Sequence, residues 1–155
     1  METIVKFSQV SFDFGHNKTI IDEVSFSIRK GMKVALMGQN GAGKSTLFKL
    51  ITRKLMPVSG TINIDKRLVV ATAHQVIPPE EMSLTVEQYF QKYLGDVELH
   101  ELKKKLSSVL DVVNLKAPLE KIIKSFSGGQ QARLLLTSAL IQEPDLLLLD
   151  EPTND

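Results

Sequence analysis

The sequence predicts an α/β domain with a helical insertion. Three observations carry that reading. The N-terminal stretch alternates apolar and polar residues, as paired strands do. A short apolar run then enters a glycine-rich loop that opens a helix. After a block of helical periodicity, the chain returns to a run of four leucines ending in acids.

The elements follow in order. "TIVKFSQVSFDF" and "TIIDEVSFSIRKG" alternate with a period near two and flank a turn at Gly15-His16-Asn17, so they read as a small antiparallel β layer. "KVALMG" is a short apolar strand running into glycine, and "KSTLFKLITRKL" follows as a helix closed by Pro57 and Gly60. "GTINID" and "RLVVATAHQ" read as two further strands. Thr85 and Gln88 have the spacing of a capping box, which starts a helix in "SLTVEQYFQKYLG". In "VELHELKKKLSSVLDVV", Leu99, Leu102, Leu106, Val109, Leu110 and Val113 recur at helical spacing beside a lysine-rich face. A third helix begins near Ser127, runs through "QQARLLLTSALIQ" and stops before Pro144. "DLLLLD" is then a buried strand, too apolar and too short for a surface helix. No internal repeat or low-complexity segment interrupts this order.

Composition narrows the class. The chain has 155 residues, 43% hydrophobic and 24% charged, which fits one globular domain and excludes a disordered or collagen-like chain. Its 19 basic and 18 acidic residues give a net charge of +1, so no global field draws it to nucleic acid or to an acidic membrane. The short clusters Lys103-Lys104-Lys105 and Arg53-Lys54 read as solvated helix faces. No cysteine is present to form a disulfide framework or thiolate metal site, which fits a reducing cytosol. The start "METIVKFSQV" lacks the apolar core of a signal peptide, and no run approaches the roughly 20 apolar residues of a membrane span. The expectation is a cytoplasmic protein without direct membrane insertion.

"GQNGAGKS", Gly38 to Ser45, fits G-x-x-x-x-G-K-[ST], the phosphate loop of P-loop proteins. Its glycines let backbone N–H groups turn toward a phosphate, and the following helix offers its positive end. Lys44 reaches the β and γ phosphates and the Ser45 hydroxyl ligates Mg²⁺. The candidate nucleotide-binding set is Gly38, Asn40, Gly41, Gly43, Lys44, Ser45 and Thr46, for ATP with Mg²⁺. The bland reading is a glycine-rich turn capping a helix. Asp150 and Glu151 close the leucine strand. An acid there holds Mg²⁺, which suits Asp150, and a second accepts a proton from the attacking water, which suits Glu151. Taken alone, such a pair is as readily a strand-end cap. The loop upstream favours the functional reading.

"SFSGGQ", Ser125 to Gln130, resembles the signature motif of ATP-binding cassette (ABC) proteins, with Phe126 where leucine is usual. Loop, signature and acid pair stand in that family's order, and the resemblance spans the chain. It implies a P-loop ABC ATPase core with an N-terminal antiparallel β layer and a helical subdomain at about 80–142. It also implies one nucleotide-binding domain over 1–155. By the resemblance, Gln75 matches the glutamine that touches Mg²⁺ and the attacking water, and Phe14 the aromatic that stacks on adenine. His74 is a neighbour rather than a catalyst. Ser127, Gly128, Gly129 and Gln130 bind a phosphate in trans, because two cassettes pair head to tail around each ATP. The partner is a second cassette, in the same longer chain or a homodimer.

"EPTND" resembles the ABC-F group, soluble two-cassette proteins that act on the ribosome. ABC-F first cassettes usually carry a long helical arm between the glutamine and the signature. Here two helices of ordinary length fill that interval, which is a departure. The alternatives are the ATP-binding subunit of a transporter, working with a membrane permease, and a nucleotide binder without turnover. Cassettes also continue past the acid pair, through a strand ending in a histidine that contacts the γ phosphate. His16, His74 and His100 all precede Glu151. The expectation is therefore a domain with its C-terminal strands missing, whose isolated chain hydrolyses ATP poorly.

Overall fold

The computed structural model describes residues 2–15, 19–73, 76–95 and 97–150. The chain forms two compact units, Met1–Leu68 and Val69–Asp155.

In the first unit, β1 (Thr3–Asp13) is the centre of a three-stranded antiparallel sheet, flanked by β2 (Thr19–Arg29) and β3 (Ser59–Ile64) in the order β2-β1-β3. The two alternating segments form the expected β layer, and "GTINID" joins it on the far side of β1. The inward residues of β1 are Val5, Phe7, Val10 and Phe12. The step from Phe7 to Val10 breaks the period of two. The register shifts between these residues, with Gln9 at φ 47, so Val10 still points inward. Side chains take over the displaced ladder bonds: Gln9 N donates to Ser25 Oγ at 2.8 Å and Glu23 N to Ser11 Oγ at 2.9 Å. Gly60 of β3 crosses this irregularity at φ 81, where an added Cβ would lie 2.1 Å from Gln9 O. Only glycine fits there.

Helix α1 (Lys44–Ile51) buries Thr46, Leu47, Leu50 and Ile51. It is shorter than the helix expected through Leu55. Arg53 adopts φ 58, its N–H reaches Leu50 O at 3.2 Å, and Lys54 N reaches Lys49 O at 2.8 Å. This is a Schellman ending with arginine in the position glycine usually takes. The expected strand "KVALMG" is irregular, and Val34, Leu36 and Met37 are exposed, Met37 by 90%. An apolar strand is shaped by the strands that pair with it, and none pairs with this run among the described residues. Beyond β3, Arg67 holds Asp65 in a two-pronged pair at 2.7 and 3.1 Å.

In the second unit, β4 (Val70–Ala73) pairs in parallel with β5 (Leu146–Leu149), Val70 opposite Leu146. Asp145 locks the entrance, its Oδ2 accepting from Val69 N at 2.9 Å. Helix α4 (Gly128–Leu140) packs on β4 through Ala71, Ala73 and Ala139, with Leu147 alongside. The leucine run is less buried than expected. Leu148 is buried, Leu146 and Leu147 are half-buried and Leu149 is 43% exposed, because within this unit the pair of strands is covered by one helix.

The main core of this unit joins α2 (Val86–Leu94), α3 (Leu99–Val112) and α4. Val86, Tyr89 and Phe90 of α2 meet Leu102, Leu106 and Leu110 of α3, the helical stripe read from sequence. Leu99 falls outside it, exposed at the first position of α3. The capping box at Thr85 and Gln88 is present, with bonds of 3.0 and 3.3 Å. The segment entering α2 pairs with the segment leading to α4. Lys124 N bonds Met82 O and Ile123 N bonds Leu84 O, both at 2.9 Å. Val86 N bonds Lys121 O at 2.9 Å and Glu87 N bonds Leu119 O at 3.0 Å. Among the described residues, no helix is long and apolar enough to cross a membrane.

Two outcomes test this description. Leu102→Ala, which empties a fully buried position, is expected to cost about 2–5 kcal/mol in chemical denaturation of the chain. The Asp65 carboxyl is held at about 2 by its hydrogen bonds to Arg67, so its contribution is complete above the ordinary value of 3.8 and is lost as pH falls through about 2. In Arg67→Ala, an NMR titration should show the Asp65 midpoint rising toward 3.8.

Candidate functional site

The phosphate loop lies in the first unit. Gly43 is the N-cap of α1 at φ 91 and supplies no side-chain acceptor to the first turn, which also carries no acid. The N–H groups that open a helix have no intrahelical partner, so this end attracts an anion. A Cβ on Gly43 would come 2.9 Å from Ile21 Cδ1 and 3.2 Å from Ile20 O. Glycine is thus required twice, for the left-handed backbone and for the close approach to β2. Lys44 Nζ donates to Gly38 O at 2.6 Å and Gln39 O at 3.2 Å, folding the lysine over the loop, and Ala42 N closes a turn on Gln39 O at 3.1 Å. Asn40 and Gly41 form the exposed crest, Ser45 is exposed, and Thr46 is buried beneath.

Phe14 lies at the same end of the sheet. It is 56% exposed and meets Phe12 edge-on, with ring centroids 4.9 Å apart, while Phe12 faces Ile21 across the ladder. Ile20 and Ile21 therefore back the loop, and Ile21 is paired with the Phe12 that the exposed aromatic meets. Sequence reading took them only as strand residues. The signal was an adjacent apolar pair where alternation calls for one.

The signature motif lies in the second unit. Ser127 caps α4: its Oγ accepts from Gln130 N at 3.3 Å, and Gln130 Oε1 accepts from Ser127 N at 2.9 Å. The Gln130 side chain thus completes its own helix cap. A Cβ at Gly128 or Gly129 would meet nothing within 4 Å. Each glycine costs a helix about 0.5–1 kcal/mol relative to alanine. Neither the fold nor the backbone conformation demands glycine here, so the open space suits an approaching ligand. Phe126 anchors the motif from below, buried, with Lys121 Nζ 4.1 Å from its ring centre.

Asp150 follows β5, half-buried at the strand end. Ser45 and Asp150 offer hard oxygen donors of the kind Mg²⁺ takes, each from a different unit. Among the described residues, no group of three His, Asp or Glu forms a metal cluster. His16, His74, Gln75 and Glu151 lie outside the described residues, and His100 is exposed on α3.

The chain is a member of the ABC transporter family, which its sequence matches over residues 21–154. That family consists of P-loop ATPases that bind and hydrolyse ATP, and the fold is that of the ABC ATPase core. The zinc import ATP-binding protein ZnuC of Rickettsia bellii is 37% identical over 150 residues, covering 96% of this chain and 62% of the relative. The probable ATP-binding protein YheS of Escherichia coli strain K12 is 36% identical over 154 residues, covering 97% of this chain and 23% of the relative. Among solved structures, CbiO1 of Clostridium perfringens, part of the ABC transporter complex CbiONQ, superposes with a TM-score of 0.84 at 26% identity, covering 99% of this chain and 67% of that one. The chain thus spans between about a quarter and about three fifths of the length of these two curated relatives.

Gly43→Ala is expected to displace the loop from Ile20 and Ile21, weakening both thermal stability and ATP binding. Gly128→Ala should leave the melting temperature unchanged or raised. Circular dichroism melts of the two variants check the contrast.

Proposed function

We propose that this chain is a nucleotide-binding cassette that takes Mg-ATP on the phosphate loop and presents its signature to the ATP of a second cassette. The observation that carries this is the pair of exposed helix N-termini, α1 and α4, each opened by glycines whose roles differ. Those of α1 shape the loop, and those of α4 border open space.

In this reading adenine stacks on Phe14. The N–H groups of Gly38, Asn40, Gly41, Gly43 and Thr46 surround the phosphates, and Lys44 moves from the loop carbonyls to the β and γ phosphates. Ser45, Gln75 and Asp150 are the proposed Mg²⁺ donors. When bound, Mg²⁺ would offset the charge that develops on the phosphates. Glu151 accepts the proton as water attacks the γ phosphorus and the bond to ADP breaks. Ser127, Gly128 and Gly129 meet the γ phosphate of the partner's ATP, while Gln130 keeps the cap in place. ATP then joins two cassettes head to tail, within one longer chain or between two copies, and hydrolysis releases them. Residues 1–155 act as a single cassette domain, with a helical subdomain at about 80–142.

For the whole protein we propose a cytoplasmic, ribosome-associated ABC-F ATPase, supported by the tail "EPTND" and by near-complete coverage of this chain by YheS. A second reading, the ATP-binding subunit of a transporter with a membrane permease, is favoured by the names of ZnuC and CbiO1. Sedimentation of the full-length protein with ribosomes, sensitive to the bound nucleotide, supports the first. Stoichiometric co-purification with an integral membrane protein supports the second.

Lys44→Ala should weaken Mg-ATP binding at least about tenfold by removing a cation from the phosphates, as read by calorimetry. Glu151→Gln in the full-length protein should keep that affinity and slow turnover about 10²–10⁴-fold, because the proton acceptor alone is lost.

A further inference from the structure

Glu81 is the one buried charged side chain among the described residues, 6% exposed. It is the last residue of a proline-led 3-10 turn, Pro79–Glu81. Its Oε1 accepts from Lys92 Nζ on α2, while Oε2 has no hydrogen-bond partner among the described residues. Burying a carboxylate is costly unless both oxygens are paired or hydrogen-bonded, and here, among the described residues, one is not. On the same helix as Lys92, the buried Tyr89 hydroxyl also has no hydrogen-bond partner of good geometry among the described residues. Burial first, and Tyr93 second, push that phenol up, and the charge of Glu81 adds to the effect.

The backbone around Glu81 leads to the signature. Glu81 N bonds Pro78 O at 2.9 Å and Leu84 N bonds Glu81 O at 3.1 Å, closing the turn. Met82 O and Leu84 O then receive Lys124 N and Ile123 N. From there Ser125 N bonds Ile122 O at 3.0 Å and Phe126 N bonds Ile123 O at 3.1 Å, one step before the Ser127 cap. The turn also begins just after Gln75.

We infer that Glu81 is a positioning residue: anchored by Lys92, it sets the turn at Pro78–Leu84 and, through the paired lead-in Ile122–Phe126, the aim of the α4 N-terminus. Its functional part rests on the proposal that this N-terminus meets a phosphate.

The test is amide hydrogen exchange on the 155-residue chain, comparing wild type with Lys92→Gln and Lys92→Arg. Lys92 is half exposed, so neither change opens a cavity. Lys92→Gln should speed exchange of Val86, Ile123 and Lys124 amides about tenfold, and Lys92→Arg should restore them to within about twofold, with Phe7 and Val10 of the first unit unchanged. Unchanged exchange in Lys92→Gln overturns the inference. So does equal acceleration throughout α3, α4 and β4, which is global loss of stability. Glu81→Gln, keeping shape and losing charge, should reproduce the Lys92→Gln pattern, and a wild-type pattern there also overturns it. Adding Mg-ATP to wild type separates the two layers. Slower exchange at Gly128–Gln130 that is lost in Lys92→Gln supports the functional part. No ATP effect in wild type, with the Lys92 pattern intact, overturns the phosphate reading of α4 and leaves the positioning role standing.

Discussion

The first N–H groups of a helix have no partner inside it, and this chain places two such ends where a phosphate can use them. Everything else in the two units holds those ends at the surface. At α1 the constraint is steric: the backbone must turn left-handed at Gly43 and pass within contact of Ile20 and Ile21. At α4 it is a matter of satisfying donors. Ser127 and Gln130 occupy each other's backbone groups, so the helix is capped by its own side chains while the glycine face stays open.

The energetic supports differ between the units. The first relies on one central strand with a bulge whose missing ladder bonds are replaced by Ser11 and Ser25 hydroxyls. That bulge keeps Phe7, Val10 and Phe12 on one face and leaves Phe14 exposed at the end of β1, whose neighbour β2 packs against the loop at Gly43. The second relies on a helical core from α2, α3 and α4, with Tyr89, Phe90, Leu102, Leu106 and Leu134 fully buried. A short stretch of strand-like pairing between residues 82–87 and 119–124 ties the entrance of α2 to the lead-in of α4. The buried Glu81 with Lys92 lies at the foot of that pairing, and burial makes the pair sensitive to any change in the turn it holds.

Much of the site was legible in local spacing. Gly38 to Ser45, Thr85 with Gln88, and Ser127 to Gln130 each act within a few residues, so their partners are written next to them in the chain. The leucine stripe of α3 was legible because a helix returns every third or fourth residue to one face. Three readings failed, two because they depend on distant parts of the chain and one on a rare local backbone. "KVALMG" was taken as a strand, yet pairing partners come from elsewhere in the chain. "DLLLLD" was taken as fully buried, yet one helix covers it. The α1 helix was extended to Leu55, yet Arg53 adopts a backbone that arginine rarely takes.

The sequence by itself determined the motifs, their order, the capped helices and the alternation that makes the β layer. These depend on the chemistry of neighbours along the chain. Only the tertiary structure decided that β3 would join the far edge of β1, that Ile20 and Ile21 would support the phosphate loop, and that Glu81 would be buried against Lys92. Each of those needs residues distant in sequence to meet, and no local period or propensity encodes which distant surface a residue will find.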